Sequence, residues 1–366
     1  MSTSNGEREV RYGIIGSGMM GGEHLLDLAH VPGAVAVALA DPVESSLEWG
    51  RACAGGPVDT YSDYADLLAR DDLDAVVIST PNMTHAAVLD DVLATDLAVL
   101  VEKPLCTTVD DAVAVAKKAD GRDALTWVGL EYRYMPTVQV MVDELATGRH
   151  GRTRMVSVRE HRYPFLEKVG DWNRFNENTG GTLVEKCCHF FDLMRVVAGA
   201  DPVRVLASGG QDVNHLDEVY DGRTPDILDN AFVVVEFANG VRGLLDLCMF
   251  AEGGRFEQEL TVVGDTGKYE STVPGDTVWW GPRDGSGVVD IPAPMHPDVP
   301  YPEFHMGSSF VEHLHFVDHV RSGRPAEVTV WDGVWSVAMG AAAHLSIDEG
   351  RPVLLEELGA PFLTAS

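Results

Sequence analysis

The chain has no apolar run approaching the roughly 20 residues that a membrane span requires, and its first nine residues, Met1 to Glu9, form a polar tail without the charged-then-apolar order of a signal peptide. These absences lead us to expect a cytoplasmic protein that binds no membrane. Basic residues are scarce: 27 Lys and Arg stand against 57 Asp and Glu, for a net charge of −30. Recognition of a phosphate backbone needs clustered Lys and Arg, so a nucleic-acid partner is excluded. Arginine greatly outnumbers lysine, which makes each lysine conspicuous. The five cysteines, Cys53, Cys106, Cys187, Cys188 and Cys248, are odd in number and contain no Cys-x-x-Cys pair. They read as packed thiols, the adjacent Cys187 and Cys188 included. Neither an internal repeat nor a low-complexity tract is present.

What is present is enough chain, 366 residues, for two domains. From Val10 to Gly129, apolar strands (Val10–Ile15, Ala34–Ala40, Ala75–Ser79, Leu97–Val101, Leu125–Gly129) alternate with helical stretches (Glu23–Ala29, Thr84–Ala94, Val109–Ala119). That alternation predicts a parallel sheet covered on both faces, an α/β Rossmann domain over residues 10–130. Beyond it the pattern changes. A helix over Pro136–Ala146 precedes the strands Thr153–His161, Val203–Gly209, Ala231–Phe237, Gly243–Phe250 and Glu257–Val263, joined by turns such as Asn239-Gly240 and Gly253-Gly254. Helices over Ser308–Ser322 and Val330–Asp348 follow. Residues 131–366 therefore read as an α+β substrate-binding domain with a mostly antiparallel open sheet.

The first strand runs into Gly16-Ser17-Gly18-Met19-Met20-Gly21. Gly16 permits the tight turn, Gly18 lets backbone N–H groups approach a pyrophosphate, and Gly21 brings the following helix close to the strand. Asp41 ends the next strand, placed to bond ribose hydroxyls and to repel a 2′-phosphate. NAD is favoured over NADP.

Near the other end of this half, the apolar run Leu97–Val101 stops at Glu102-Lys103-Pro104. Lys103 thus closes a buried strand where open α/β sheets bind ligands, and the proline keeps it out of helical conformation. A later segment, Thr182 to Met194, reads as one amphipathic helix that places Glu185, His189 and Asp192 on a shared face. Lysine and histidine together can handle the proton of a hydroxyl, provided burial or cationic neighbours lower the lysine pKa. Two other readings stand beside this one. Thr182-x-x-Glu185 also fits a capping box, and His189 also fits a satisfied core histidine.

Just before that helix lie Trp172, Asn173, Arg174 and Asn176, which suit either a sugar face or a surface loop anchored by its tryptophan. His305, His313, His315 and His319 lack the acid or cysteine that would complete a metal site and read as helix-packing residues, so no metal is expected.

On the glycine loop, Ser79-Thr80-Pro81-Asn82-Met83-Thr84-His85, Glu102-Lys103-Pro104, the Gly180-Gly181 to Asp192 segment and the Gly323-Arg324-Pro325 turn, nearly the whole chain resembles the Gfo/Idh/MocA family of NAD(P)-dependent oxidoreductases. The resemblance implies that Lys103 and His189 act on a sugar or cyclitol hydroxyl. Glu185 stands where the family usually has Asp. Arg133 matches a family arginine, with Glu131 replacing a common Asn. The loop Ser79–Asn82 is implied to lie beside the nicotinamide ribose. Cofactor contacts are then expected from Gly16, Gly18, Met19, Met20, Gly21, Asp41, Ser79, Thr80, Pro81, Asn82, His85, Glu102 and Lys103. Substrate contacts are expected from Arg133, Trp172, Asn173 and Asp192. The resemblance further implies a homodimer or homotetramer formed through the open sheet face. The reading is an NAD-dependent dehydrogenase of a sugar, cyclitol or glycoside. Its alternatives are an NAD-recycling glycoside-cleaving enzyme of the same fold and a non-catalytic sensor of dinucleotide or sugar.

Overall fold

The structure is a computed structural model that describes residues 8–300 and 305–358. Of the polar N-terminal tail, residues 1–7 lie outside the described residues. Strands β1 (Val10–Ile15), β2 (Ala34–Ala40), β3 (Asp59–Tyr61), β4 (Ala75–Ile78), β5 (Ala98–Glu102) and β6 (Thr126–Gly129) form a parallel sheet in the order β3-β2-β1-β4-β5-β6. The expected Rossmann sheet is there, and its strands β4 and β5 carry the apolar runs Ala75–Ile78 and Ala98–Val101 because both faces are covered. The order reverses between β1 and β4, so the loops leaving those two strands open a crevice at the carboxyl edge. Strand β3 escapes sequence reading because Asp59-Thr60-Tyr61 is a three-residue polar edge strand with no apolar pattern.

The second sheet has nine strands: β7 (Thr153–His161), β8 (Pro202–Gly210), β9 (Asn230–Phe237), β10 (Arg242–Cys248), β11 (Gln258–Gly264), β12 (Gly267–Thr272), β13 (Thr277–Pro282), β14 (Val289–Pro292) and β15 (Val353–Leu354). Their order is β14-β13-β12-β11-β7-β10-β9-β8-β15, and every pairing is antiparallel except β7 with β10. The glycine turn at Gly253-Gly254 therefore does not close a hairpin. Strand β7 enters between β10 and β11, which only a long-range pairing can specify. One face of the sheet buries Val156, Val158, Val205, Val233, Val235, Leu245 and Leu247 against the helices. On the other face, register aligns Leu206, Val234 and Leu244 across three strands, with Phe232 60% exposed beside them.

The expected single helix over Thr182–Met194 is interrupted. It is built as Thr182–Glu185 and Cys188–Ala198, with Lys186 and Cys187 between them. The capping box also fails: Gly181 occupies the cap without a side-chain bond, and Thr182 Oγ1 donates instead to the Leu228 carbonyl at 2.6 Å. Glu185 is left free of that duty.

The helix Ser308–Ser322 joins the two halves. It packs against the helix Met19–Leu28 and the turn Glu131–Tyr134. Trp127 Nε1 on β6 donates to Glu312 Oε1 at 3.0 Å inside this junction. Burial pushes the Glu312 pKa up to about 8 against the lowering effect of that bond. An acid whose pKa is raised on folding keeps its proton in the folded state after the unfolded chain has lost it, so stability falls as pH rises between the two values. Unfolding midpoints of the wild type should therefore fall as pH rises from about 4.5 to about 8, at up to about 1.4 kcal/mol per pH unit for this proton. Glu312→Gln should flatten that slope and be the more stable protein at pH 8, as read by denaturant titration. An unchanged slope would remove Glu312 from this role.

Candidate active site

The glycine loop is assembled by close backbone contacts. Gly16 has φ of +91°, and a Cβ on Gly21 would stand 2.1 Å from the Gly16 carbonyl oxygen. Over Gly18 the space is open, and the helix Met19–Leu28 begins with no acid in its first turn and no side-chain cap. Its first N–H groups are therefore available to an anion. Met19 is exposed and Met20 half-buried at this helix start. Asp41 braces the loop, accepting from Ser17 N and Val43 N at 2.9 Å each. Ser79 Oγ donates to the Gly16 carbonyl at 2.6 Å, and Pro81 accepts from Thr84 Oγ1, which also donates to Thr80 Oγ1. Buried His85 links this loop to the next through contacts with the Thr80 and Pro104 carbonyls at 3.0 and 2.8 Å. It holds the two ligand loops together rather than facing between them. Two buried polar atoms at this edge, Ser17 Oγ and Asn82 Nδ2, have no partner among the described residues. A hydroxyl-rich dinucleotide fits that donor set.

At the end of β5, Glu102 Oε2 accepts from the Lys103 backbone N–H at 3.0 Å while Oε1 meets His24 Nε2 at 2.9 Å. His24 Nδ1 in turn meets His313 Nε2 at 2.9 Å. Burial acts to raise the Glu102 pKa, but the His24 bond and charge outweigh it and hold the carboxyl low. His24 is raised by the same partnership against its own burial, whereas burial and the His24 charge hold His313 well below the usual histidine range. The junction thus carries one buried ion pair with a neutral imidazole behind it.

Lys103 is surrounded by acids. Burial presses its pKa down, yet Cys188, Glu102, Glu131 and Glu185 together carry it above the ordinary lysine value. Burial pushes the Cys188 thiol itself up to about 12, so the neighbours ionised at neutral pH are Glu102 and, in part, Glu185. The lowered pKa that a lysine base requires is absent here, and Lys103 is an ammonium. Glu185 is buried, its Oε2 has no partner, and burial raises its pKa to about 7 despite Lys103, Lys168, Lys186 and Arg174 around it. His189 stacks on Tyr132 at 4.2 Å between ring centroids, and its Nε2 lies 3.5 Å from Glu131 Oε1. Burial and the charge of Lys103 hold His189 well below its ordinary pKa, so it is neutral. Burial drives Glu131 the other way, well above the carboxylate range. Both Glu131 Oε2 and His189 Nδ1 are buried without partners among the described residues.

Several expected substrate residues are otherwise occupied. Arg133 Nε donates to Asp192 Oδ2 at 2.7 Å and reaches Asp332 and the Glu327 carbonyl, so Arg133 and Asp192 serve each other. Asn173 is fully buried, its Nδ2 donating to Leu166 O and its Oδ1 accepting from Arg174 Nη1. It builds its own loop. Half-buried Trp172 lies on that loop, its carbonyl accepting from Asn178. Among the former metal candidates, His315 and His319 both bond Glu327, His305 bonds Glu23, and His313 meets His24. No group of three or more His, Cys, Asp or Glu side chains among the described residues is arranged to hold a metal. No helix among them is long and apolar enough to cross a membrane.

Residues 10–130 match the oxidoreductase family's NAD-binding Rossmann fold, and residues 142–355 match the same family's C-terminal α/β domain. The chain belongs to the Gfo/Idh/MocA oxidoreductase family. It is an oxidoreductase, and NAD is its cofactor. It is 26% identical to the myo-inositol 2-dehydrogenase of Thermotoga maritima, an alignment covering 95% of this chain and 99% of that one. It is also 26% identical to the NAD-dependent scyllo-inositol 2-dehydrogenase of Bacillus subtilis, over 96% and 97% of the two chains. Among solved structures, levoglucosan dehydrogenase in complex with NADH and levoglucosan superposes with a TM-score of 0.84 at 20% identity, covering 95% of this chain and all of that one. That likeness is one of fold.

Sequence reading missed His24, Lys168, Lys186 and the part played by Glu131. One signal was available. Only six lysines occur, Lys103, Lys117, Lys118, Lys168, Lys186 and Lys268, and three of them are neighbours of Glu185. In so acidic a chain, that gathering marks the site. For the cofactor half, we predict that Gly21→Ala weakens NADH binding by at least about tenfold, because its methyl must displace the Gly16 carbonyl. Fluorescence titration tests this, and an unchanged dissociation constant would show that the loop absorbs the methyl.

Proposed function

We propose that the protein oxidises a secondary hydroxyl of a sugar or cyclitol. The observation that carries this reading is the ring of buried polar atoms without partners around Lys103: Glu185 Oε2, Glu131 Oε2 and His189 Nδ1. A polyhydroxylated ring offers a hydroxyl for each, and leaving such atoms unpaired is costly. When bound, NAD supplies a hydride acceptor at the nicotinamide C4. Gly16, Gly18, Gly21 and Asp41 would hold its pyrophosphate and ribose, and Ser79–Asn82 its nicotinamide end. The Lys103 ammonium donates to the substrate oxygen and stabilises the negative charge that grows there. His189, kept neutral, takes the hydroxyl proton. Glu131 then faces the imidazolium from 3.5 Å. The inositol dehydrogenases among the relatives support the substrate class.

Exposed Leu206, Phe232 and Leu244, with half-buried Val234 between them, give the open sheet an apolar patch. We propose that a second copy covers it.

Lys103→Ala should lower kcat on the order of a hundred- to a thousandfold, as for loss of one donor to a developing oxyanion, while leaving NADH affinity intact. Reduction of NAD, against NADP as control, would be followed across inositols, hexoses, pentoses and glycosides. Normal turnover by Lys103→Ala, or no NAD-linked oxidation of any polyol, would sink the reading; release of an aglycone without net NADH would point to glycoside cleavage instead. For the assembly, Phe232→Glu should sediment as a monomer where the wild type sediments as a dimer or tetramer. A monomeric wild type would dispose of that proposal.

A further inference from the structure

Between β7 and the short helix Asn176–Thr179, residues 162–175 leave the second sheet and reach the glycine loop of the first domain. The segment is held by its own polar groups: Asn173 Nδ2 donates to Leu166 O at 3.0 Å, Arg174 Nε pairs with Glu218 at 3.1 Å, and Asp171 N donates to Lys168 O at 2.9 Å. At its tip, Leu166 and Val169 are exposed, while the intervening Lys168 is half-buried. Lys168 Nζ lies 3.8 Å from Met19 Sδ, the first residue of the helix that follows the glycine loop.

No carboxylate among the described residues lies within ion-pair distance of Lys168. Burial first, and then the charge of Lys103, press its pKa downward, while Glu185, Glu102 and Glu23 oppose this from beyond ion-pair distance without cancelling it. A desolvated ammonium beside another ammonium is unfavourable unless an anion shares the space. The helix start in front of it carries no acid and no cap, and the room over Gly18 is open. An uncapped helix start from one domain and a lysine from the other therefore meet at Met19.

We propose that Lys168 clasps the diphosphate of the dinucleotide, so that the cofactor is held between the first turn of the helix Met19–Leu28 and a lysine of the second domain. The clasp rests on the assignment of NAD to the glycine loop. It makes the loop between β7 and the helix Asn176–Thr179 part of the cofactor site, and it gives cofactor release a second requirement besides opening of the glycine loop: withdrawal of Lys168.

The test is binding without turnover. NADH fluorescence and calorimetry with ADP-ribose, which keeps the diphosphate and lacks nicotinamide, would be run on the full-length wild type and Lys168→Gln. The expected result is a loss of about tenfold for both ligands in Lys168→Gln, narrowing as salt rises because the lost interaction is ionic. Lys168→Arg should recover most of the affinity. A distorted loop would weaken binding independently of salt, and that outcome overturns the clasp. Equal affinities in wild type and Lys168→Gln overturn it as well, as does a defect confined to the substrate KM at saturating NAD, which would assign the ammonium to a substrate anion. Failure of the wild type itself to bind NADH would instead strike at the cofactor assignment on which the clasp rests.

Discussion

The contact between Glu102 and His24 is the interaction on which the site depends. Glu102 ends β5, His24 lies on the helix after the glycine loop, and His313 behind it belongs to the helix Ser308–Ser322 of the second half. One carboxylate thus fixes three elements while its other oxygen receives the backbone N–H of Lys103. A buried carboxylate and imidazolium are tolerable only when each satisfies the other, and breaking such a pair leaves an uncompensated charge. The cofactor loop and the lysine are consequently positioned by the same bond.

Around that pair the electrostatics sort the ionisable groups by charge. Every ionisable side chain near Lys103 is desolvated, but the consequences differ in sign. Burial holds His189 neutral and Glu131 protonated, Glu185 is poised near neutrality, and Lys103 stays charged beside the ionised Glu102. A neutral acceptor beside a permanent cation suits removal of a hydroxyl proton while the oxygen gathers charge. The same low-dielectric setting holds Cys187 and Cys188 as unreactive packed thiols.

Much of the fold could be read along the chain because local patterns carry it. The alternating apolar runs of the first half placed β1 and β2 to the residue, and Pro136–Ala146 and Thr153–His161 were equally legible. The misses share a cause. Strand β3 is short and polar, β12 to β15 lie beyond the strands that patterning revealed, and the insertion of β7 between β10 and β11 is a long-range pairing. Thr182 and Glu185 have the spacing of a capping box, yet a carbonyl 46 residues away captures the threonine hydroxyl.

The amino-acid sequence by itself determined the dinucleotide loop, the lysine at the strand end and the histidine downstream, because each is announced by residues adjacent to it. Tertiary structure alone decided how those groups are charged and which of them are available. Arg133 and Asp192 look like substrate ligands until they are seen bonded to each other, and Lys168 looks like a loop residue until it is seen against Met19. Charge state and availability depend on burial and on partners distant in the chain, and neither is written in local spacing.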